Sequence, residues 1–166
     1  MNEYSFIICN YGSIREVNIN KKNKHNKYHL ILAAAVKVFA RQGFYQSTVA
    51  QIAREAGVAD GTIYLYFKNK NDILVNFFSY KTKLVFDRFR EEVDKAESSL
   101  DKLRNLIRRH LTEFQRDRDM AVVYQVETHQ NSRLAEKQIR EMSKMYQDII
   151  SEIVELGQAE GKIRKN

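Results

Sequence analysis

One stretch in the first half of the chain concentrates side chains that could contact a polar or charged partner. From Thr48 to Phe67 it reads TVAQIAREAGVADGTIYLYF. Hydroxyl groups can reach phosphates and base edges, small residues let a backbone approach a groove floor, and a leucine can touch a thymine methyl group. This chemistry suits duplex DNA. The residues that we expect to be available for such contact are Asp60, Gly61, Thr62, Tyr64, Leu65 and Tyr66.

Two short helices joined by a tight turn are predicted to position these side chains. Thr48 and Gln51 have the spacing of a capping box, which predicts a helix from about Val49 to Ala56. Gly57 stands where a helix end needs a left-handed conformation, and Asp60 can cap the next helix. The pair forms a helix-turn-helix, in which the second helix enters the major groove. Apolar residues that would pack the pair together are Val49, Ile52, Ala53, Val58, Ile63 and Phe67.

The rest of the chain is predicted to be helical, giving an all-α fold. It has no proline and six glycines, so little interrupts the helical spacing of apolar residues. We expect a first helix that ends at Gly43, a connecting helix from Asn69 past Val93, and a helix capped by Ser98 or Ser99. Two further helices are predicted, over 120–130 and from Leu134 to about Gly157.

Charge divides the chain unevenly. Residues 1–70 carry 10 basic and 4 acidic side chains, whereas 71–166 carry 18 and 17, within a net charge of +7. A localised basic excess is typical of a nucleic-acid-binding module. We therefore predict a helix-turn-helix DNA-binding domain over residues 21–70 and a helical effector-binding and dimerisation domain over 71–166. Residues 1–20 have neither a helix cap nor a helical period, and we interpret them as a flexible leader or a misassigned start.

Composition and the remaining reactive side chains disfavour other classes of protein. No apolar stretch approaches the ~20 residues of a membrane span, so we expect a cytoplasmic protein with no membrane partner. Cys9 is a lone cysteine, without a partner for a disulfide or a zinc site. No nucleophile with a base, carboxylate pair or metal cluster is evident, so we expect no enzyme, catalytic residue, metal or cofactor. His25 and His29 could chelate a metal at i, i+4, but in a basic arm they are better explained as polar residues near DNA.

The segment AGVADGTIYLYFKNKNDIL, with Phe39 and Gly43 before it, resembles the signature of the TetR family of bacterial transcriptional regulators. The resemblance covers roughly residues 27–85. It implies a three-helix DNA-binding domain, a helical ligand domain, and a homodimer that binds double-stranded operator DNA until a small molecule releases it. Within the family, the string AGVADGTIYLYFKNK is most similar to acyl-CoA-responsive repressors of fatty-acid degradation, which implies a long-chain acyl-CoA as a small hydrophobic effector.

The resemblance also implies roles for individual residues. Positions that hold operator phosphates in the family are matched by Thr48, Tyr66 and Lys70. Thr62 and Tyr64 match the positions of the recognition helix that contact DNA in the family. Asp60, Gly61 and Leu65 match the positions whose side chains can vary the DNA sequence that is recognised. Because Tyr64 and Tyr66 are two residues apart, they cannot share one helix face, and we expect Tyr64 to be exposed.

The ligand domain leaves alternatives open. Its apolar residues suit a hydrophobic guest but also fit a filled core, so no effector-binding residue is predicted. Five arginines could hold a ligand phosphate or could be solvated: Arg104, Arg108, Arg109, Arg116 and Arg118. Related regulators usually carry further C-terminal helices that build the dimer, and these are expected to be missing here. The alternatives are a regulator of multidrug efflux that responds to another hydrophobic compound, and a non-enzymatic helical fragment.

Overall fold

The structure, a computed structural model, describes residues 25–129 and 135–165 of the 166-residue chain. The leader predicted over residues 1–20, Cys9 and residues 21–24 of the predicted DNA-binding domain lie outside the described residues. Within them, seven helices and no strand are present, which confirms the all-α prediction. None of these helices is both long and apolar enough to cross a bilayer.

The helices follow the predicted order. The described part of α1 covers residues 25–42. The helices after it are α2 (Val49–Ala56), α3 (Asp60–Tyr64), α4 (Lys70–Asp94), α5 (Ser99–Arg116), α6 (Arg118–His129) and α7 (Glu136–Ala159). Asn69 and Ser98 accept hydrogen bonds from the third backbone N–H of α4 and α5, as expected of N-cap side chains.

Two helix starts differ from the prediction. Asp60 is the first residue of α3 and does not cap it; Ala59 stands at the cap and makes no side-chain hydrogen bond. The Asp60 carboxylate lies instead in the first turn, where the helix dipole favours negative charge. Helix α6 begins at Arg118 instead of Met120, because Asp117 Oδ1 accepts the Met120 N–H at 3.1 Å and organises the turn two residues earlier.

Two apolar cores share α4. The first contains buried residues of α1, α2 and α3, four residues of α4 between Ile73 and Phe78, and Met120 and Val123 of α6. The second joins the later half of α4 to Leu106 of α5 and to buried isoleucines of α7. The domain boundary predicted at residue 70 stays a prediction, and the first core continues across it. Helix α4 thus connects two packed parts of the molecule: the head, which comprises α1 to α3, and the body, which comprises α5 to α7.

The apolar side chains of α7 are only partly covered by the rest of the chain. Ile149 and Ile153 are buried against α4 and α5, whereas Ile150 is 38% exposed. Three further exposed aliphatic side chains lie along α5: Leu100, Ile107 and Leu111. Exposed apolar surface in the body is therefore found on α5 as well as on α7.

Candidate DNA interface and effector cavity

The helix-turn-helix is built by local hydrogen bonds that the sequence encodes. Thr48 Oγ1 accepts the Gln51 N–H at 3.2 Å, and Gln51 Oε1 accepts the Thr48 N–H at 2.8 Å, so the predicted capping box is confirmed. Gly57 ends α2 with φ of 65°, a left-handed conformation that costs glycine little. Ile52 and Ile63 are fully buried, and they fix the angle between α2 and α3.

The recognition helix presents the expected residues in two groups. Tyr64 is 58% exposed and Leu65 is 75% exposed, an unusual exposure for large side chains, and Asp60 and Gly61 are exposed beside them. Thr62 and Tyr66 are half-buried, and Tyr66 packs partly against the head core. The expectation that Tyr64 is exposed is confirmed. The DNA contacts of these residues stay predictions.

Lys70 does not extend into solvent. Its Nζ donates to the backbone carbonyl oxygens of Phe44, Tyr45 and Ser47 at 2.7, 3.2 and 2.8 Å. The ammonium also lies 4.4 Å from the centre of the Phe44 ring, and burial lowers the pKa of Lys70. The side chain therefore spans from the start of α4 to the turn that precedes α2.

Tyr45 is an exposed residue that the sequence analysis did not select. It lies in the turn between α1 and α2, three residues before Thr48, and is 65% exposed. The sequence gives one indication of this residue: an aromatic side chain stands between the helix end at Gly43 and the N-cap Thr48. Turns at such places usually contain polar residues or glycine.

A cavity of about 260 Å³ lies in the body between α4, α5, α6 and α7. Its lining residues are Lys81, Thr82, Val85, Phe86, Phe89, His110, Phe114, Met120, Tyr124, Met142 and Tyr146. Most are aromatic or apolar, and the volume approaches the lower end of the ~300–1,000 Å³ typical of ligand pockets. The sequence predicted an apolar interior, but it could not show whether that interior is filled.

The polar groups in this cavity pair with one another. Tyr146 Oη and His110 Nδ1 are 2.8 Å apart, and burial raises the pKa of Tyr146 and lowers that of His110. Burial also raises the pKa of Tyr124 to about 12, although a hydrogen bond with Thr82 opposes this shift. These groups are therefore uncharged near neutral pH. An apolar guest would meet no unpaired charge along this wall.

The arginines of α5 are partly engaged in ion pairs. Glu113 is buried, and it pairs with Arg88 at 3.1 Å and with Arg109 at 2.6 Å. Arg104 pairs with Asp101 one turn earlier on the same helix. The group of five arginines considered from the sequence therefore does not act as one free cluster. Arg108, Arg116 and Arg118 are exposed.

Lys81 lies between the body cavity and the head. Its Nζ lies 2.7 Å from Asp117 Oδ2, at the corner between α5 and α6. Lys81 and Asp117 also line a second cavity, of about 350 Å³, whose other walls include His29 of α1 and Tyr80 of α4. The ion pair thus separates the body cavity from a cleft under the head.

The histidines of α1 make a local pair. His25 Nε2 and His29 Nε2 are 3.5 Å apart, and burial together with the neighbouring His25 lowers the pKa of His29. Within residues 25–129 and 135–165, no group of three or more histidine, cysteine or carboxylate side chains could hold a metal ion.

Both parts of the chain, the head and the body, match known protein families. Residues 31–76 match the bacterial regulatory proteins of the tetR family, and residues 78–166 match the YsiA-like C-terminal region. The chain belongs to the TetR family. It is a helix-turn-helix transcriptional regulator with the N-terminal DNA-binding domain and helical C-terminal domain of that family. The resemblance inferred from the motif is confirmed.

Individual relatives agree with this assignment. The chain is 40% identical to the fatty acid metabolism regulator protein of Bacillus subtilis over 144 residues, which cover 87% of this chain and 74% of that protein. Its fold is similar to that of the fatty acid degradation regulator FadR from Bacillus halodurans, with a TM-score of 0.77 and 37% identity over 83% of this chain and 72% of that one. FadR from Bacillus subtilis in complex with stearoyl-CoA gives a TM-score of 0.76 and 39% identity over 84% and 75% of the two chains.

Proposed function

We propose that this regulator is a homodimeric repressor that binds operator DNA in the cytoplasm and is released by a long-chain acyl-CoA. The apolar cavity beside α4 carries the proposal, because α4 is also packed into the core of the DNA-binding head. The similarity to a FadR structure that contains stearoyl-CoA supports the effector class. An acyl chain needs an apolar enclosure, and the cavity walls supply aromatic and methionine side chains.

The DNA side of the proposal rests on the exposed part of the helix-turn-helix. Tyr64 and Leu65 project from α3, where they can reach base edges, while Thr48 lies at the end of α2 that meets the phosphate backbone. The residues proposed to form this surface are Thr48, Asp60, Gly61, Thr62, Tyr64, Leu65 and Tyr66.

Exposed apolar residues on α5 support a homodimer. Ile107 and Leu111 are each more than half exposed, and one turn separates them on the same helix face. Exposed apolar surface of this kind marks interaction sites. A symmetric pair of chains would present two recognition helices about 34–36 Å apart, one turn of the duplex.

A titration with stearoyl-CoA tests the effector. The probe is a duplex of about 30 base pairs, three turns of DNA, selected by the protein from a random library. We expect stearoyl-CoA to release the protein from this duplex and free CoA not to release it. The linkage relation requires the duplex to weaken stearoyl-CoA binding by the same factor. Equal release by free CoA would mean anionic competition and would exclude the acyl site.

A second comparison separates the acyl-CoA effector from the drug-responsive alternative. If a hydrophobic cationic dye released the duplex and stearoyl-CoA did not, the cavity would belong to a regulator of the multidrug type. Failure of the protein to select any duplex would reject the DNA-binding function itself.

A further inference from the structure

Lys70 has used all of its hydrogen-bonding capacity within the protein. An ammonium group has three N–H donors, and the three carbonyl oxygens of Phe44, Tyr45 and Ser47 lie 2.7 to 3.2 Å from Nζ. A DNA phosphate could bind this group only by displacing one of these carbonyls. The Phe44 ring, 4.4 Å away, covers a further side of the charge.

These three bonds fix the turn between α1 and α2. Other hydrogen bonds also hold this turn: Ser47 Oγ donates to Gly43 O at 2.6 Å, Gln42 Nε2 donates to Gln46 O at 3.0 Å, and the Ser47 N–H donates to Phe44 O at 3.2 Å. Bonds from a charged donor are about twice as strong as neutral ones. Because Ser47 O belongs to the peptide that leads into Thr48, Lys70 also orients the N-cap of α2.

The same turn presents an exposed aromatic side chain, whose ring meets that of Phe44 edge to face at 5.5 Å between centres. Tyr45 is 65% exposed, while its own carbonyl oxygen is held by Lys70. In a helix-turn-helix the first helix of the motif crosses the DNA backbone, and Tyr45 lies three residues before the N-cap of that helix. A tyrosine hydroxyl is a neutral hydrogen-bond donor to phosphate oxygens.

We propose that Tyr45 contacts the DNA backbone, and that Lys70 is a positioning residue that holds the turn carrying Tyr45 and Thr48. Lys70 then acts through the protein backbone, in place of the direct phosphate contact that the family resemblance implies. This inference rests on the proposed DNA-binding function.

The salt dependence of binding distinguishes the two roles of Lys70. The logarithm of the binding constant falls linearly with the logarithm of the salt concentration. Each phosphate that the protein neutralises makes this slope steeper by about 0.9. We expect Lys70→Met to weaken binding to the selected duplex about tenfold with an unchanged slope. Lys70→Arg keeps the charge, but its planar guanidinium cannot direct bonds to three converging carbonyls, so it is also expected to weaken binding. Lys83→Met, on an exposed part of α4, is the control.

Tyr45 is tested by removing one atom. Tyr45→Phe keeps the ring and loses the hydroxyl, so we expect about a tenfold loss of affinity with the salt slope unchanged. Tyr80→Phe, a surface tyrosine on α4, is the matched control and should bind as the wild type does. Chymotrypsin cleavage after Tyr45 should become faster in Lys70→Met, since the turn loses the three hydrogen bonds from Lys70. Helicity and melting temperature of each variant show that the head remains folded.

Each outcome has a defined meaning. Wild-type affinity of Tyr45→Phe would overturn the contact assigned to Tyr45. A slope reduced by about 0.9 per head in Lys70→Met, with full affinity in Lys70→Arg, would overturn the positioning role and restore a phosphate contact. If the wild-type protein selected no duplex, the proposed function would fail first, and the inference with it.

Discussion

At the scale of single residues, the head separates side chains that hold the motif from side chains that are free to contact DNA. Ile63 is fully buried, whereas Tyr64 next to it is 58% exposed. An exposed aromatic side chain on a recognition helix contributes nothing to its own core. The exposure of the apolar Tyr64 ring to water would be explained by contact of this ring with the floor of the major groove.

Tyr64→Ala should therefore relax the base preference of the protein. We expect affinity for the selected duplex to fall by about 1–3 kcal/mol, because a base-edge contact is lost, while affinity for unrelated duplexes changes much less. The salt slope should not change, since the phenol is neutral. Competition between selected and random duplexes measures this ratio. Equal losses on both duplexes would show that Tyr64 contacts the backbone only.

At the scale of elements, two glycines of the head have opposite requirements. Gly57 ends α2 with φ of 65°, whereas Gly61 lies within α3, and a Cβ at either position would meet no atom within 4 Å. The change in stability when alanine replaces either glycine thus depends only on the backbone conformation at that position. We expect Gly57→Ala to lower the free energy of unfolding by about 1–2 kcal/mol and Gly61→Ala to leave it unchanged or raise it by up to ~1 kcal/mol. Urea unfolding of both variants checks the difference, and equal effects would contradict it.

A buried carboxylate joins α4 to α5. The Glu113 side chain is 5% exposed and faces two guanidinium groups, Arg88 and Arg109. Removing the carboxylate would take this partner from two partly buried guanidinium groups, so Glu113→Ala should lower the free energy of unfolding by about 1.5–3 kcal/mol. Glu152, which pairs with Arg90, is 59% exposed, and Glu152→Ala should cost less than about 1 kcal/mol. A similar loss in the free energy of unfolding of the two variants would show that burial does not make the Glu113 ion pairs more stabilising than the exposed pair of Glu152.

The elements that could be predicted from the sequence are those specified by local chemistry. The capping box at Thr48 and the glycine end at Gly57 define α2 without reference to the rest of the molecule. The positions of long-range partners are a different matter. Lys70 is bonded to residues 23 to 26 positions earlier, and its three carbonyl partners carry no side-chain signature. The cavity likewise depends on how tightly α4, α5 and α7 pack, which helical spacing does not determine.

At the scale of the whole molecule, α4 belongs to both cores. Its first turns pack with α1 to α3, and its later turns pack with α5 and α7. A guest that enters the body cavity contacts α4 at Thr82, Val85 and Phe86, close to where the first core ends. We expect any displacement of α4 by such a guest to be carried into the head, because a packed core does not deform continuously.

The Lys81–Asp117 ion pair lies at the point where this displacement would pass between body and head. Lys81→Met should leave duplex affinity close to wild type when no effector is present, and it should leave stearoyl-CoA binding measurable. We expect it to reduce the factor by which stearoyl-CoA weakens duplex binding, because α4 loses its tie to the corner between α5 and α6. Lys83→Met, on an exposed position of the same helix, is the control and should keep the full factor. The measurement is duplex affinity with and without saturating stearoyl-CoA for each variant. A wild-type factor in Lys81→Met would place the coupling elsewhere in α4, whereas loss of duplex binding without effector would make Lys81 a structural part of the head.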